Sequence, residues 1–305
     1  MEVNTSTSKN QSTIDSHQHF WKFDPTVQTW VEKEWTILQR DYLPEDLVPL
    51  LHKSGFLRCI SVQSSQTETE TNYLLSLAAS PNSIIAGVVG WCNLREDPDI
   101  LRPKLLSWKE SNPKLVGFRH VIHDEEDDLF ILKDDFRRGL GVLGESGLAY
   151  DLLLFPKHVK PAISIVKEFP HITFILDHIG KPFVGKTIKV GDKLQIFPET
   201  WESDLCELAA HNNVYCKVSG LPTLATWNDF SNEEFYPFLD IVFEAFGKNR
   251  VMIGSDWPVC TLSANYKRTM DIVIDFIESR KFSSEEKNNI LGRNCAKAYK
   301  LNIEH

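Results

Sequence analysis

Three short stretches of this chain carry residue types that can hold or move a proton. Asp15-Ser16-His17-Gln18-His19 sets two histidines two residues apart. Side chains at i and i+2 of a strand point the same way, so an extended segment projects His17 and His19 together. Neutral imidazoles placed like this can bind a divalent metal or donate hydrogen bonds to a carbonyl. The second stretch, Ile175-Leu176-Asp177-His178-Ile179-Gly180, closes an apolar run with a polar pair. His178 is the candidate for the site, and Asp177, of opposite parity, is expected to be buried and satisfied by hydrogen bonds. The third is Ile253-Gly254-Ser255-Asp256-Trp257-Pro258. A carboxylate beside imidazoles or a metal stays ionised at neutral pH and can take a proton from water, which makes Asp256 a candidate general base. Read one at a time, these are equally two surface histidines, a core aspartate and a turn before proline. Only a common location makes them chemistry.

Weaker candidates surround them. Arg119 in Gly117-Phe118-Arg119-His120 offers a planar donor fork for a carboxylate or a diol, and His120 alternates in direction with it. One of the two is expected to face a pocket. Asp151 and Lys217 are polar residues in the fifth and seventh runs, suited to a ligand contact or to the satisfied polar groups that layered barrel cores hold. Gln63, Trp91 and Trp21 are plausible contacts to a polyhydroxyl ligand. His52, His123, His158, His171, His211 and His305 read as surface residues of helices or loops. No GxSxG elbow, P-loop or strand-following GxGxxG is present.

What could bring the three stretches together is a repeated element. Eight β-branched or apolar runs recur at Thr13–Asp15, Cys59–Gln63, Ile84–Val89, Leu115–Phe118, Ala149–Phe155, Ile172–Leu176, Val214–Val218 and Val251–Gly254. Most lack polar alternation, as strands buried on both faces do. Helical patterns lie between them. Trp201, Leu205, Leu208 and Ala209 share one face, as do Tyr266, Met270, Val273, Ile274 and Ile277. Ser283 with Glu286 is a capping-box signature for a last helix ending near Tyr299. Eight strand–helix units predict a (β/α)8 barrel, class α/β, spanning residues 13–305 behind a polar tail of residues 1–12. His17, His19, His178 and Asp256 then all fall at the C-terminal ends of strands, where barrels place their chemistry. Two connections are long. Phe20–Glu45 holds Trp21, Trp30 and Trp35 and is expected to cap the pocket. Gly180–Glu199 contains two extended runs around Gly191-Asp192, a predicted hairpin.

Composition sets the outer bounds. The chain has 305 residues, 42% hydrophobic and 25% charged, with 33 basic and 42 acidic side chains for a net charge of −9. These are globular values, and the acidic balance without a basic run argues against nucleic acid as a partner. No apolar stretch reaches the roughly 20 residues that span a bilayer. The six cysteines are scattered, with no CxxC, which points to a reducing cytosol without disulfides.

The motifs together resemble the amidohydrolase superfamily. Asp15–Trp21 (DSHQHFW), Arg40–Leu47 (RDYLPEDL), Gly117–His120 (GFRH), Leu176–Pro182 (LDHIGKP), Lys217–Leu221 (KVSGL) and Ile253–Val259 (IGSDWPV) resemble its amidohydrolase-2 branch, and within it the sugar-lactone lactonases of the L-fuconolactonase and L-rhamnonolactonase type. The resemblance runs over about residues 13–300. It implies a distorted (β/α)8 barrel that hydrolyses a lactone, a small-molecule substrate. Asp256 would activate water, and His17, His19 and His178 would polarise the carbonyl directly or through one metal ion. Arg119 and His120 would grip the substrate. Binuclear members carry a bridging Lys or Glu on strand four and a His on strand five. Here those strands offer Arg119-His120 and Asp151, which implies no cofactor or a single Zn²⁺ or Mn²⁺ held by His17, His19, His178 and Asp256. The segment Thr187–Phe197 is longer than the usual family loop. The same barrel also serves metal-dependent decarboxylases and pyrone-dicarboxylate hydrolases, and a non-catalytic carbohydrate-binding barrel is a third reading.

Overall fold

A computed structural model describes residues 13–184 and 200–302, together with the backbone of residues 188–190 and 193–195. Ten strands are formed among the described residues. Eight pair in parallel in the order β1 (Ile14–Gln18), β2 (Arg58–Val62), β3 (Ile85–Gly90), β4 (Leu115–His120), β5 (Ala149–Leu152), β6 (Phe174–Leu176), β9 (Val214–Val218) and β10 (Val251–Ile253). The remaining two, β7 (Ile188–Val190) and β8 (Lys193–Gln195), pair antiparallel as the hairpin expected after the sixth barrel strand. All eight barrel strands coincide with the apolar runs. Their ends moved by a few residues: β1 continues through Gln18, and β5 stops at Leu152, three residues short of the run's end.

Helices α1 (Pro44–Lys53), α2 (Glu68–Ala79), α3 (Pro98–Ser111), α4 (Asp134–Ser146), α5 (Pro156–Glu168), α6 (Trp201–Ala209), α7 (Tyr236–Phe246) and α8 (Tyr266–Ser279) alternate with the strands. Each presents its apolar stripe to the sheet. In α6 the buried residues are Trp201, Leu205, Leu208 and Ala209, the four at helical spacing in the sequence. The final helices, α9 (Ser284–Asn288) and α10 (Asn294–Ala298), open on the Ser283–Glu286 capping box. They carry Cys295, Ala298 and Tyr299 into the barrel's inner cluster with Ile14, Ile60, Ile175 and Met252. Among the described residues no helix is long and apolar enough to cross a membrane. All six cysteines are unpaired, five of them buried.

The sheet comes round on itself where β1 meets the segment after β10. Asp256 N donates to His17 O at 2.7 Å, and His19 N donates to Trp257 O at 2.7 Å. Asp15 ties the same seam by accepting from Ser255 N (2.9 Å), Ser255 Oγ (2.6 Å) and Tyr266 OH (3.1 Å). Burial pushes the Asp15 carboxyl up to about 6 against those donors. Gly254 makes the seam possible, because a Cβ there would lie 2.8 Å from His17 Cβ.

Candidate active site

The two histidines of β1 reach one place through an irregularity. The β1–β2 register shifts between Asp15 and Gln18. Ile14 belongs to the inner cluster and Asp15 faces Tyr266 outside it, yet His17, three residues past Ile14, turns inward. An extra residue in a strand re-aims the side chains that follow it. His17 and His19 then meet at a ring separation of 5.0 Å, and His17 and His178 at 4.5 Å.

His178 arrives from a left-handed turn. His178, Ile179, Gly180 and Lys181 have φ of 52°, 52°, 76° and 51° in succession. L-residues pay roughly 1–2 kcal/mol each for that conformation, so the turn is held from outside. Trp201 Nε1 donates to Ile179 O at 2.9 Å, and His178 Nδ1 contacts Ser219 Oγ at 2.9 Å. Asp256 also has positive φ, 59°. Its Oδ1 lies 3.1 Å from His19 Nε2, 3.7 Å from His17 Nε2 and 4.0 Å from His178 Nε2. Gly220, at φ 64°, leaves room for this cluster, since a Cβ there would stand 2.9 Å from both Asp256 Oδ2 and His178 Nδ1.

Charge is divided cleanly within the cluster. Burial works against an ionised Asp256, but His178, His19 and His17 outweigh it and hold the carboxyl well below its ordinary range. Burial pulls His178 down to about 4 despite Asp256 and Asp177. Burial likewise carries His17 well below the usual imidazole value. At neutral pH this leaves an ionised Asp256 among uncharged His17 and His178.

Beneath the cluster lies a buried ion network. Lys217 Nζ reaches Asp151 Oδ2 at 2.5 Å, Asp177 Oδ1 at 3.0 Å and His17 Nδ1 at 3.3 Å. Arg119 donates to Asp177 Oδ2 (3.0 Å), Gln63 O (2.5 Å) and His17 Nε2 (3.3 Å). Tyr299 OH, from past α10, donates to Asp151 at 2.7 Å. Burial is resisted at Asp177 by Lys217, His17 and Arg119, which keep it ionised.

A cavity of about 780 Å³ opens over these groups, lined by His19, Arg119, His178 and Asp256. Trp30 and Trp35 of the loop after β1 line it too, as does Trp227, whose ring packs 5.7 Å from that of Trp35. Other sequence candidates sit off this lining. His120 is turned to Trp91 Nε1 (3.1 Å) and Glu125 (2.7 Å), so of the Arg119–His120 pair Arg119 faces the cavity. Gln63 binds Arg119 through its backbone and side chain. Trp21 is buried behind Trp30, with Nε1 donating to Arg40 O. Asp151 is committed to Lys217 and Tyr299.

Two histidines expected on the surface are not there. His158 is buried at the start of α5, where Phe155 N donates to its Nδ1. His123 lines the cavity, contacting Lys181 Nζ at 3.4 Å and Asp124 at 3.2 Å. Both follow local apolar contacts that their polar neighbours in sequence concealed. Lys181 was inside the LDHIGKP motif but could not be singled out without its turn. Burial lowers its ammonium to about 8. His305 lies outside the described residues.

A family model described as Amidohydrolase matches residues 14–301. The chain belongs to that family. This amidohydrolase is 37% identical over 295 residues to an L-fucono-1,5-lactonase from Burkholderia multivorans, covering 94% of this chain and 96% of the relative. Two crystal structures of an amidohydrolase from Burkholderia multivorans, one with HEPES and one with zinc bound, match it with TM-scores of 0.86. They are 36% and 35% identical, over 95% of this chain and 99% of theirs.

The donor atoms of this amidohydrolase suit a metal ion. His17, His19 and Asp256 offer atoms within 4.8 Å of one another, and so do His17, Asp177 and His178. His19 supplies the fit test. Its Nδ1 must donate to Val62 O, a pure acceptor, at 2.8 Å. Nε2 of the neutral ring therefore aims a lone pair at Asp256 Oδ1, and two acceptors face each other until a cation or a proton joins them.

Proposed function

We propose that this amidohydrolase opens a sugar lactone by adding water to its carbonyl. The observation that carries this is Asp256 Oδ1 ringed by three imidazole nitrogens at 3.1, 3.7 and 4.0 Å at the edge of the cavity. The likeness to an L-fucono-1,5-lactonase supports the ester class and the sugar. Asp256 takes a proton from the attacking water. His178, on the cavity lining, faces the carbonyl oxygen and stabilises the tetrahedral oxyanion. His17, buried off the lining, and His19 turn Nε2 lone pairs to Asp256 and would act on the carbonyl only with a cation or a proton held between them. Asp256 then returns the proton to the departing ring oxygen. Loss of one oxyanion stabiliser typically costs 10²–10³-fold in rate, about 2.7–4 kcal/mol. One Zn²⁺ or Mn²⁺ held by His17, His19 and Asp256, with His178 beside it, would add Lewis-acid polarisation of the same carbonyl. Arg119 steadies His17 and presents its edge to the substrate.

The walls favour a neutral substrate over a dicarboxylate. The cations Arg119 and Lys181 are set against the carboxylates of Glu32, Asp124 and Asp256 on the same lining. Arg119 is further neutralised by Asp177. The unpaired cysteines support a reducing compartment such as the cytosol.

The test is a pH-indicator hydrolysis screen of sugar lactones, on protein as purified and after chelation, with elemental analysis of both. Turnover that survives complete metal removal makes the imidazoles the direct electrophile. Turnover that disappears and returns with Zn²⁺ or Mn²⁺ makes them ligands. No lactone opened in either sample refutes the proposal.

A further inference from the structure

The left-handed turn that delivers His178 delivers a second side chain to the same cavity. In a turn of three residues, i and i+3 eclipse. The turn closes with Lys181 N donating to His178 O at 2.8 Å, so Lys181 stands over His178 and both line the cavity. Three non-glycine residues in the left-handed region is a costly way to build a loop, and such strain gathers where a side chain must be aimed.

Lys181 is also held in a defined orientation. Its Nζ lies 3.4 Å from His123 Nδ1 and 5.5 Å from the centre of the Phe155 ring. An ammonium has no lone pair, so Lys181 donates and His123 Nδ1 accepts. His123 then carries its proton on Nε2, which faces Asp124 Oδ1 at 3.2 Å. The His123 ring is itself stacked on Phe155 at 4.6 Å and 17°. One of the three ammonium donors is thereby fixed. Among the described residues Nζ has no other hydrogen-bond acceptor, which leaves two donors for a ligand in the cavity.

We propose that Lys181 is a further catalytic residue, donating hydrogen bonds to the ring oxygen that leaves as the lactone opens, with His123 and Asp124 as its positioning residues. The inference rests on the lactone reading. The new bond joins the water oxygen to the carbonyl carbon, and the bond that breaks joins that carbon to the ring oxygen. The proton taken from water by Asp256 ends on the ring oxygen. Lys181 keeps its own protons throughout and stabilises the negative charge while it develops. His178 and Lys181 then serve opposite ends of the breaking ester from one turn of chain.

Lys181→Met, Lys181→Arg, His123→Phe and the Lys181→Met/His123→Phe double variant test this, with kcat and KM measured on a sugar lactone that the wild type opens. Methionine meets the same backbone conformation as lysine, so folding is checked by circular dichroism and is expected unchanged. Lys181→Met should lose about 10²-fold or more in kcat, as when a transition-state donor is removed, with KM changed far less. Lys181→Arg should recover part of that loss. His123→Phe should lose about tenfold in kcat, and the double variant should be no worse than Lys181→Met alone, because His123 acts only through Lys181. Lys181→Met within threefold of wild type, a loss confined to KM, or additive losses in the double variant would each overturn the assignment while leaving lactone hydrolysis standing. A folded wild type that opens no lactone overturns both. Should Lys181→Met not fold, Lys181→Arg and His123→Phe decide by the same kcat criterion.

Discussion

His19 Nε2 lies 3.1 Å from Asp256 Oδ1, while its Nδ1 is committed to the carbonyl of Val62. That commitment fixes the tautomer and makes the contact depend on a proton or a metal ion. Removing one acceptor resolves the conflict without chemistry. In Asp256→Asn the amide can donate to His19 Nε2, so the variant should fold normally and show urea stability equal to or above wild type. Its kcat should fall by at least 10²-fold, the scale of a lost general base, and zinc uptake measured by elemental analysis should fall with it. Lactone turnover near the wild-type rate would remove Asp256 from the mechanism.

Gly220 makes a sharper claim about geometry. Alanine there costs about 1–2 kcal/mol for its left-handed backbone alone. Its Cβ also presses on Asp256 Oδ2 and His178 Nδ1, both at 2.9 Å. A displacement of a reacting group by 1 Å can cost about 10²-fold. Gly220→Ala should therefore lose much more activity than stability. The claim fails if urea titration shows the stability loss and kcat stays within twofold of wild type.

The barrel was legible because its strands are covered on both faces, which writes each one as an unbroken apolar run. The three site stretches were legible because each run ends in a polar pair. What stayed hidden was direction. Parity from Ile14 would have sent His17 outward, and the register shift in β1 reverses it. Asp177 was expected buried and is, but its partners come from β4 and β9, a closeness set by barrel curvature and not by spacing. His120 and Arg119 alternate as a strand requires, yet only the cavity showed which one it takes. Lys181 and His123 come from different loops and depend on a left-handed turn that no local preference announces, since its non-glycine residues oppose it.

The network under the site gives a stability prediction. Lys217 is fully buried between Asp151 and Asp177. Breaking a buried pair by removing one partner costs about 3–5 kcal/mol, because the other charge is left uncompensated. Lys217→Met should lose that much in urea unfolding. Adding Asp151→Asn should restore part of it, since the stranded carboxylate is then neutral. Losses that simply add across the double-mutant cycle would show that the pair is not coupled in the folded state.

The pH dependence follows from the same partition of charge. A base with a depressed pKa is active above that pKa and is lost as pH falls through it. Asp256 is held well below the ordinary carboxylate value, and His178, which must stay neutral beside it, sits at about 4. Activity should therefore fall only as pH drops through about 4, first as His178 gains a proton and then as Asp256 does. An unshifted histidine base would instead put the fall near 6.5, and a zinc-bound water near 7. The profile of kcat/KM between pH 3.5 and 8, corrected for spontaneous hydrolysis, separates these cases. A plateau down to about pH 5 supports Asp256 acting on free water, and an acid limb between 6.5 and 7 rules it out.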